Sequence, residues 1–478
     1  MLSVLGHPKK LCDGLSRRAL MQVGSVSLFG GMTLPRLLQA AEMSPTHRKG
    51  PAKSVILFNL LGGPSQIDMF DLKPNAPVEV RGEFNSIETS LPGLQICEHM
   101  PKIAQIMHKV SLIRTVTHTQ NSHNPLPVMT GCANGNAGTS PDRNDPPDIG
   151  AICQYLGLGS KDMPGAVCLP CYPGWGQSTQ FPGIRLPGPY GGFLGSQYDP
   201  LFSLCDPTFD KVAERPLYGT ARALGVPMAP GLDDLPEMTV NRLDRRRSVL
   251  EQLNGQFDRL SVSTAVDRLD RFQRQAFSML CTSKTRDAFD ISQESEETRD
   301  HYGRNLFGSS MLVARRMVET GVPFISVHAE PFFSTGSLTW DMHENIFAML
   351  KKHNLPVLDA CFSALILDLE NRGLLESTLV FVMGEMGRLP KVNREAGRDH
   401  WPSCTFCLMA GGGVKPGVVY GTTDSMAAYP DSNPVSPGDI VATIYQQLGI
   451  DPHMTLPDLS GRPIPIAHGG EPIRDLIG

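Results

Sequence analysis

The apolar residues of the chain fall into short uninterrupted runs that alternate with longer stretches of helical periodicity. Apolar runs of this length are typical of strands that are buried on both faces of a sheet. Strands are predicted at residues 54–61, 110–116, 322–328, 377–383 and 405–410. Helices are predicted at residues 235–260, 266–279, 305–320, 355–372 and 437–448. The alternation predicts an α/β fold in which helices sandwich one large, mostly parallel sheet.

The middle of the chain interrupts this pattern. Residues 132–230 hold most of the glycine-rich and proline-rich sequence and show neither a helical nor a strand period. Because glycine and proline mark turns and loops, this stretch predicts long loops and small elements beside the main sheet. We therefore expect one large domain over residues 53–478, in which residues 132–300 are rich in insertions.

The first residues have the order of an export signal. A twin-arginine pair at Arg17–Arg18 is followed by an apolar run over residues 20–34 and then by small residues at 40–41. This order predicts a twin-arginine signal peptide over residues 1–41, a linker over residues 42–52, and a periplasmic or extracellular protein. The apolar run is shorter than the ~20 residues that span a bilayer, so no permanent membrane anchor is expected.

Composition narrows the classes of partner. Hydrophobic residues make up 41% of the chain, which is enough for a sizeable core. The 43 Lys and Arg residues against 48 Asp and Glu residues give a net charge of −5, so no nucleic-acid partner is expected. The pairs Cys168–Cys171 and Cys404–Cys407 are too distant in sequence for one zinc knuckle and lack a thioredoxin pattern. Buried thiols, or an occasional disulfide, are the favoured interpretation of these pairs over a metal or redox site.

Polar residues next to the predicted strands are the candidates for chemistry, because ligands of α/β sheets bind at the carboxyl ends of the strands. Asp68 follows the first strand and is either a metal ligand or a helix cap. Ser122 and His123 lie on the loop after the second strand. A hydroxyl beside an imidazole is a candidate nucleophile with its base, and a polar surface loop is the alternative.

Carboxylates and imidazoles recur beside the later strands. Asp341 and His343 lie two residues apart after the strand at 322–328, and Glu385 follows the strand at 377–383. His400 precedes the last strand and is flanked by a charged residue and an aromatic residue. Aspartate with histidine suits zinc, or a harder metal where carboxylates dominate. The alternative for Glu385 is an ordinary ion pair with the nearby arginine.

Longer motifs around these residues resemble two known groups of proteins. The segment at 358–388, LDACFSALILDLENRGLLESTLVFVMGEMGR, resembles the alkaline phosphatase superfamily, which includes the sulfatases and phosphodiesterases. The motifs GGPSQIDMFDLKP, RGEF, ICEHMPKIA, WDMHENI, GEMGR, GRDHWP and GGEPIRDLI resemble a family of exported bacterial proteins known as domain of unknown function 1501. This second resemblance covers almost the whole chain after the signal peptide.

The superfamily resemblance implies an alkaline phosphatase-like or sulfatase-like fold and a hydrolase of phosphate or sulfate esters. It implies a divalent metal (zinc, manganese or calcium) and, as the partner, a small-molecule or polysaccharide ester anion. One ion would be held by Asp341, His343, Glu385 and His400, with Asp68 as an extra ligand.

The resemblance also implies catalytic and anion-binding roles for the four remaining candidate residues. Ser122 would be the nucleophile or would position water, and His123 would act as base or acid. Arg388 and Arg398 would bind the anion, because guanidinium groups pair well with phosphate and sulfate oxygens.

Of three departures from the superfamily pattern, the first two favour a non-catalytic alternative. Glycines at 62–63 occupy the position of the first-strand aspartate, and Met386 replaces a metal-binding histidine with a thioether that hard metals bind poorly. Asn121 occupies the position of the sulfatase cysteine, so formylglycine chemistry is not expected. A non-catalytic binding or structural protein on a degenerate hydrolase scaffold is therefore the second hypothesis.

Overall fold

The computed structural model describes residues 50–477 apart from residues 136–137, 139, 160–162, 172–173, 176–183, 213–219, 230–282 and 330–339. The predicted signal peptide, residues 42–49 of the predicted linker, and the predicted helices at 235–260 and 266–279 lie outside the described residues. Within the described ranges, no helix combines the length and the apolar character needed to cross a membrane.

Eight strands form the central sheet. In chain order they are β1 (Ser54–Leu60), β2 (Ser111–Val116), β3 (Ala166–Leu169), β4 (Leu201–Phe202), β5 (Phe324–Ala329), β6 (Thr378–Met383), β7 (Thr405–Ala410) and β8 (Val419–Tyr420). Their spatial order is β8-β2-β7-β6-β1-β5-β3-β4. All neighbouring pairs are parallel except those of β7, which runs antiparallel to both β6 and β2. The predicted large, mostly parallel sheet is confirmed.

Helices cover both faces of this sheet. They are α1 (Gln66–Met69), α2 (Val78–Arg81), α3 (Pro101–Ile106), α4 (Leu126–Thr130), α5 (Ile149–Tyr155), α6 (Ser283–Phe289), α7 (Glu296–Tyr302), α8 (Leu306–Glu319), α9 (Ile346–Met349), α10 (Leu355–Asn371) and α11 (Pro437–Gln447), with a π-helix at Leu350–Asn354. Ile56 and Phe58 of β1 belong to the core cluster that contains the apolar residues of α8 and α10. Val55 and Leu57 belong to the cluster that contains those of α5 and α11. This burial on both sides explains the unbroken apolar run of β1.

Two strands of the main sheet arise from the stretch for which long loops and small elements were predicted. β3 has the sequence AVCL, is buried throughout and pairs with β5, and β4 pairs with β3 at the edge of the sheet. These runs are too short to give a periodic signal, which is why the sequence did not reveal them. The shorter strands outside the main sheet are Ser86–Glu88, Gln95–Cys97, Gly174–Trp175, Ile184–Arg185, Thr208–Phe209, Ala223–Leu224, Gly387–Arg388, His400–Trp401, Thr422–Thr423, Pro430–Ser432, Thr455–Pro457 and Pro463–Pro465.

The reversed direction of β7 determines where the polar segments meet. Because β7 is antiparallel to its neighbours, it begins at the edge of the sheet where β1, β2, β5 and β6 end. The connection from β6 to β7 therefore stays at that edge. Within it, Gly387–Arg388 pairs antiparallel with His400–Trp401. Residues before β7 thus join residues after the other strands at the edge where ligands bind.

A buried imidazole lies in the middle of the sheet. His328 of β5 is aligned with Asn59 of β1, whose amide nitrogen donates to His328 Nδ1 over 3.1 Å. His328 Nε2 then donates to the hydroxyl of Ser326 over 3.0 Å. Burial lowers the pKa of His328 to about 3. The folded protein therefore keeps this imidazole neutral at every physiological pH.

We expect the free energy of unfolding to fall between about pH 7 and about pH 5, and His328→Met to reduce that fall by about 2 kcal/mol. The unfolded chain binds a proton near the ordinary histidine pKa of 6.5, whereas the folded chain does so only near 3. A lowered folded-state pKa means that this stability is present above about pH 6.5 and is lost as the pH falls towards 3. Urea unfolding at the two pH values measures the difference. His301→Met, at an exposed position, is the control, and an unchanged pH dependence in His328→Met would contradict the expectation.

Candidate metal centre

Four segments bring titratable side chains to the common edge of the sheet. The loop after β2 carries His123, and the segment after β5 carries Asp341. Glu385 lies two residues after the end of β6, and His400 lies in the hairpin that leads into β7. The ends of β2, β5 and β6 and the beginning of β7 thus supply one residue each.

The carboxylate of Asp341 is the common partner of three imidazoles. Its Oδ2 lies 3.1 Å from Nε2 of His123. Its Oδ1 lies 3.0 Å from Nε2 of His343 and 3.2 Å from Nε2 of His400. Arg388 donates to the same Oδ1 over 2.7 Å. Four side chains from three separate segments of the chain therefore converge on one largely buried carboxylate.

Two of these imidazoles also contact a second carboxylate. Nδ1 of His123 lies 2.8 Å from Oε1 of Glu385. Nδ1 of His343 lies 2.9 Å from Oδ1 of Asp399. A carboxylate on the outer nitrogen orients an imidazole and increases its basicity, as it does in metal sites. Both rings are therefore held at both of their nitrogens.

The opposing charges of the cluster shift its pKa values. Burial alone would raise the pKa of Asp341, but hydrogen bonds with the three imidazoles outweigh burial and hold that pKa well below its usual range. Burial alone would lower the pKa of His123, but its two carboxylate partners raise it to about 9. The hydrogen bond to Asp341 raises the pKa of His343, whereas burial lowers that of His400.

Close backbone approach at Gly62 fixes the carboxylate of Glu385. The N–H of Gly62 donates to both oxygens of Glu385, over 2.9 and 3.1 Å. Gly62 has a φ of +118°, and a Cβ on it would lie 2.3 Å from the backbone nitrogen of Asp341. Only glycine allows the loop after β1 to approach so closely. Gly62 thus has a structural role in holding the carboxylate of Glu385 beside Asp341.

The structure can accommodate a metal ion at part of this cluster. His123, Asp341 and His400 each offer one ligand atom, and these three atoms lie within 4.8 Å of one another. Of the residues predicted as ligands, Asp341 and His400 belong to this group of three. His343 and Glu385 contact its members but are not part of it, and His123, predicted as base or acid, joins it.

Arg388 is placed differently from the sequence-based expectation. Its side chain is fully buried and donates to the backbone carbonyls of Gly62, Gly63, Trp340 and Arg398 as well as to Asp341. All three guanidinium nitrogens donate to these acceptors. Arg388 therefore joins the loops that carry the cluster, and this placement does not support its predicted contact with a substrate anion.

Asp68 and Arg398 form a separate buried ion pair. The guanidinium of Arg398 donates to both oxygens of Asp68, over 2.7 and 2.8 Å, and Ser65 Oγ donates to the same carboxylate over 2.6 Å. Arg398 also donates to the carbonyls of Val80 and Pro390. Both side chains are almost completely inaccessible. These contacts do not support the predicted roles of Asp68 as a metal ligand and of Arg398 as an anion-binding residue, because the two charges neutralise each other.

Some residues at this edge were not among the predicted candidates. Asp399 directly precedes His400, and the acidic–imidazole pair in the GRDHWP motif was a usable signal for it. Nδ1 of His118 accepts from the backbone N–H of Gln120 over 3.2 Å. The side chains of Gln120 and Ser122 have buried polar atoms without a hydrogen-bond partner among the described residues. Ser122, predicted as the nucleophile, directly precedes His123, which is one of the three residues that could hold a metal ion.

Several solved structures are distantly similar to the chain. A protein of glycosaminoglycan metabolism from Bacteroides thetaiotaomicron has a TM-score of 0.36 and 10% identity, covering 83% of this chain and 72% of its own. The PsFucS1 sulfatase from Pseudoalteromonas sp. has a TM-score of 0.36 and 12% identity, with coverages of 87% and 70%. A phosphonate monoester hydrolase from Silicibacter pomeroyi has a TM-score of 0.30 and 12% identity, with coverages of 88% and 75%.

Comparison at the level of sequence gives a firmer assignment. No curated protein sequence matches the chain significantly. The model of the family described as a protein of unknown function, DUF1501, matches residues 52–477. This match covers nearly all of the chain beyond the predicted signal peptide and linker. The chain therefore belongs to the DUF1501 family.

Proposed function

We propose that the protein is a metal-dependent hydrolase of phosphate or sulfate esters, in which His123, Asp341 and His400 hold one divalent ion. The observation that carries the proposal is the convergence of three imidazoles on the carboxylate of Asp341. Such a cluster is a common feature of catalytic metal sites, and buried titratable groups with shifted pKa values concentrate at functional sites. The ester class follows from the superfamily resemblance of the motifs around the cluster.

The donor set favours some metals over others. Two imidazole nitrogens and one carboxylate suit zinc or manganese, whereas calcium prefers six to eight oxygen ligands. Glu385 would orient His123 through its outer nitrogen, as second carboxylates do around bound metals. We therefore place Glu385 beside the ligands and not among them.

The chain's own residues supply the remaining chemistry. A bound divalent ion would act as a Lewis acid that stabilises negative charge on the ester group. Ser122 adjoins the ligand His123 and is the candidate to attack the ester or to position water. His343 is one-third exposed and is backed by Asp399. Its hydrogen bond to Asp341 raises the pKa of His343, which favours the protonated form that a general acid for the leaving group requires.

A non-catalytic binding protein remains the second candidate. Met386, which replaces a metal-binding histidine of the superfamily, is fully buried. Neither Arg388 nor Arg398 is accessible to a ligand. Both observations favour a scaffold that has lost part of a hydrolase site. For either function we also propose that the protein is exported by the twin-arginine route. The bound ligand would in both cases be an ester anion.

Metal analysis combined with a substrate screen tests the proposal. We expect about one zinc or manganese ion per chain in protein purified without chelator. We also expect hydrolysis of at least one of 4-nitrophenyl phosphate, bis(4-nitrophenyl) phosphate and 4-nitrophenyl sulfate. Ser122→Ala should lower kcat by at least about 100-fold with an unchanged metal content, because one nucleophile or water-positioning group is removed.

Ser460→Ala, at an exposed position, is the matched control and should behave like the wild type. Bound metal without any turnover would support the binding protein instead. A metal-free chain that hydrolyses none of the three esters would contradict the proposed hydrolase.

A further inference from the structure

The substrate anion needs donors other than the two arginines at the site. Arg388 and Arg398 are fully buried. The first donates to Asp341 and to backbone carbonyls, and the second donates to both oxygens of Asp68. Moving Arg398 towards a substrate would leave the buried carboxylate of Asp68 without its counter-charge, which is strongly unfavourable. Moving Arg388 would break its hydrogen bonds to Asp341 and to four backbone carbonyls. Neutral groups on the same edge of the sheet are a further source of hydrogen bonds.

The loop that carries His123 contains two such groups. Both polar atoms of the Gln120 amide are buried and have no hydrogen-bond partner among the described residues, and the residue is only 8% exposed. The hydroxyl of Ser122 is likewise buried and without a partner in the described part of the chain. A buried polar group without a partner is unfavourable, so folded proteins rarely retain one without a reason. Two such residues within three positions of a candidate metal ligand indicate a polar ligand.

We propose that Gln120 binds the charged group of the substrate, that the attacking or water-positioning hydroxyl of Ser122 contacts the same group, and that the site therefore selects monoanionic esters over dianionic phosphate monoesters. This inference rests on the proposed function, because the ester must lie beside the ion held by His123. The shared chemistry is a tetrahedral ester group with a single negative charge. Phosphodiesters and sulfate monoesters both have it.

The charges of the cluster determine this preference. Asp341, Glu385 and Asp399 place three carboxylates around the imidazoles of His123 and His343. A second negative charge on the substrate would be repelled by these carboxylates. An amide and a hydroxyl would stabilise that charge only about half as well as a guanidinium, since hydrogen bonds to charged donors are roughly twice as strong. One negative charge can be balanced by the metal and neutral donors, and a second one cannot.

Kinetics with a pair of substrates that differ by one charge test the preference. We expect kcat/KM for methyl 4-nitrophenyl phosphate to exceed that for 4-nitrophenyl phosphate by at least about tenfold at about pH 8, where the monoester is a dianion. A parallel measurement with 4-nitrophenyl sulfate distinguishes the sulfate monoester from the phosphodiester as the monoanion used. Faster turnover of the dianionic monoester would overturn the inference. Absence of all turnover would instead contradict the proposed hydrolase, and the binding experiment would then decide the inference.

Calorimetric titration of the zinc-loaded protein with methyl sulfate and with inorganic phosphate provides that binding experiment. Methyl sulfate should bind more tightly than phosphate. Gln120→Ala should weaken methyl sulfate binding by roughly tenfold, the factor that one lost hydrogen bond of about 1.4 kcal/mol produces. Gln446→Ala, at an exposed position of α11, should leave the affinity unchanged, and both variants should retain their zinc. No binding of methyl sulfate, tighter binding of phosphate, or wild-type affinity in Gln120→Ala would overturn the inference.

Discussion

Asp341→Asn is expected to abolish stoichiometric metal binding and to lower kcat/KM by on the order of 1000-fold. The change keeps the shape of the side chain but removes the negative charge that three imidazoles and Arg388 share. A neutral amide can offer a metal only one weak oxygen, and its NH₂ group faces other donors. Metal content by mass spectrometry and hydrolysis of the substrate found in the screen measure the two effects.

A matched variant separates this effect from general damage. Asp287→Asn removes a carboxylate at an exposed position and should leave metal content and rate unchanged. Circular dichroism should show that Asp341→Asn is still folded, although the unpaired Arg388 will lower its stability. A folded Asp341→Asn protein with one metal ion per chain and wild-type activity would show that the cluster does not bind the ion.

Arg398→Met is expected to lower the free energy of unfolding by about 3–5 kcal/mol. The substitution fills a similar volume but leaves the buried carboxylate of Asp68 without the guanidinium that contacts both of its oxygens. An isolated buried charge is far more costly than the pair from which it came. Urea unfolding, followed by circular dichroism, measures the change.

The same experiment decides between two roles for Arg398. Arg304 pairs with Glu296 and Asp300 on the surface, so Arg304→Met should cost less than about 1 kcal/mol. If Arg398 bound the substrate anion, as its sequence position predicted, Arg398→Met would keep wild-type stability and would raise KM. A stability loss no larger than that of Arg304→Met would therefore contradict the ion-pair assignment.

The apolar pattern predicted the sheet well because burial on both faces leaves a strong signal. The runs that became β1, β6 and β7 were located to within one residue of their observed bounds. The pattern contains no information about strand direction, so the reversal of β7 was not foreseen. β3 was missed because four residues before a proline are too few to show a period.

The sequence could predict which residues lie near one another at the candidate site, but it could not predict the partners of the two arginines. The proximity of Asp341 and His400 could be predicted because polar residues beside strand ends meet at one edge of an α/β sheet. Arg388 and Arg398 also lie near strand ends, yet in the structure Arg388 pairs with Asp341 and Arg398 pairs with Asp68. Which buried carboxylate an arginine will neutralise depends on three-dimensional proximity, which position along the chain does not reveal.

The hairpin between β6 and β7 has a consequence for engineering the family. Because β7 reverses direction, the chain leaves the sheet after Met383 and re-enters it at Thr405 without crossing to the opposite rim. Glu385, Asp399 and His400 thus all lie on the single connection between β6 and β7. The connection between β6 and β7 could therefore be exchanged between relatives as one segment. The exchange would replace these three side chains together and would leave the hydrogen bonds between β6 and β7 intact.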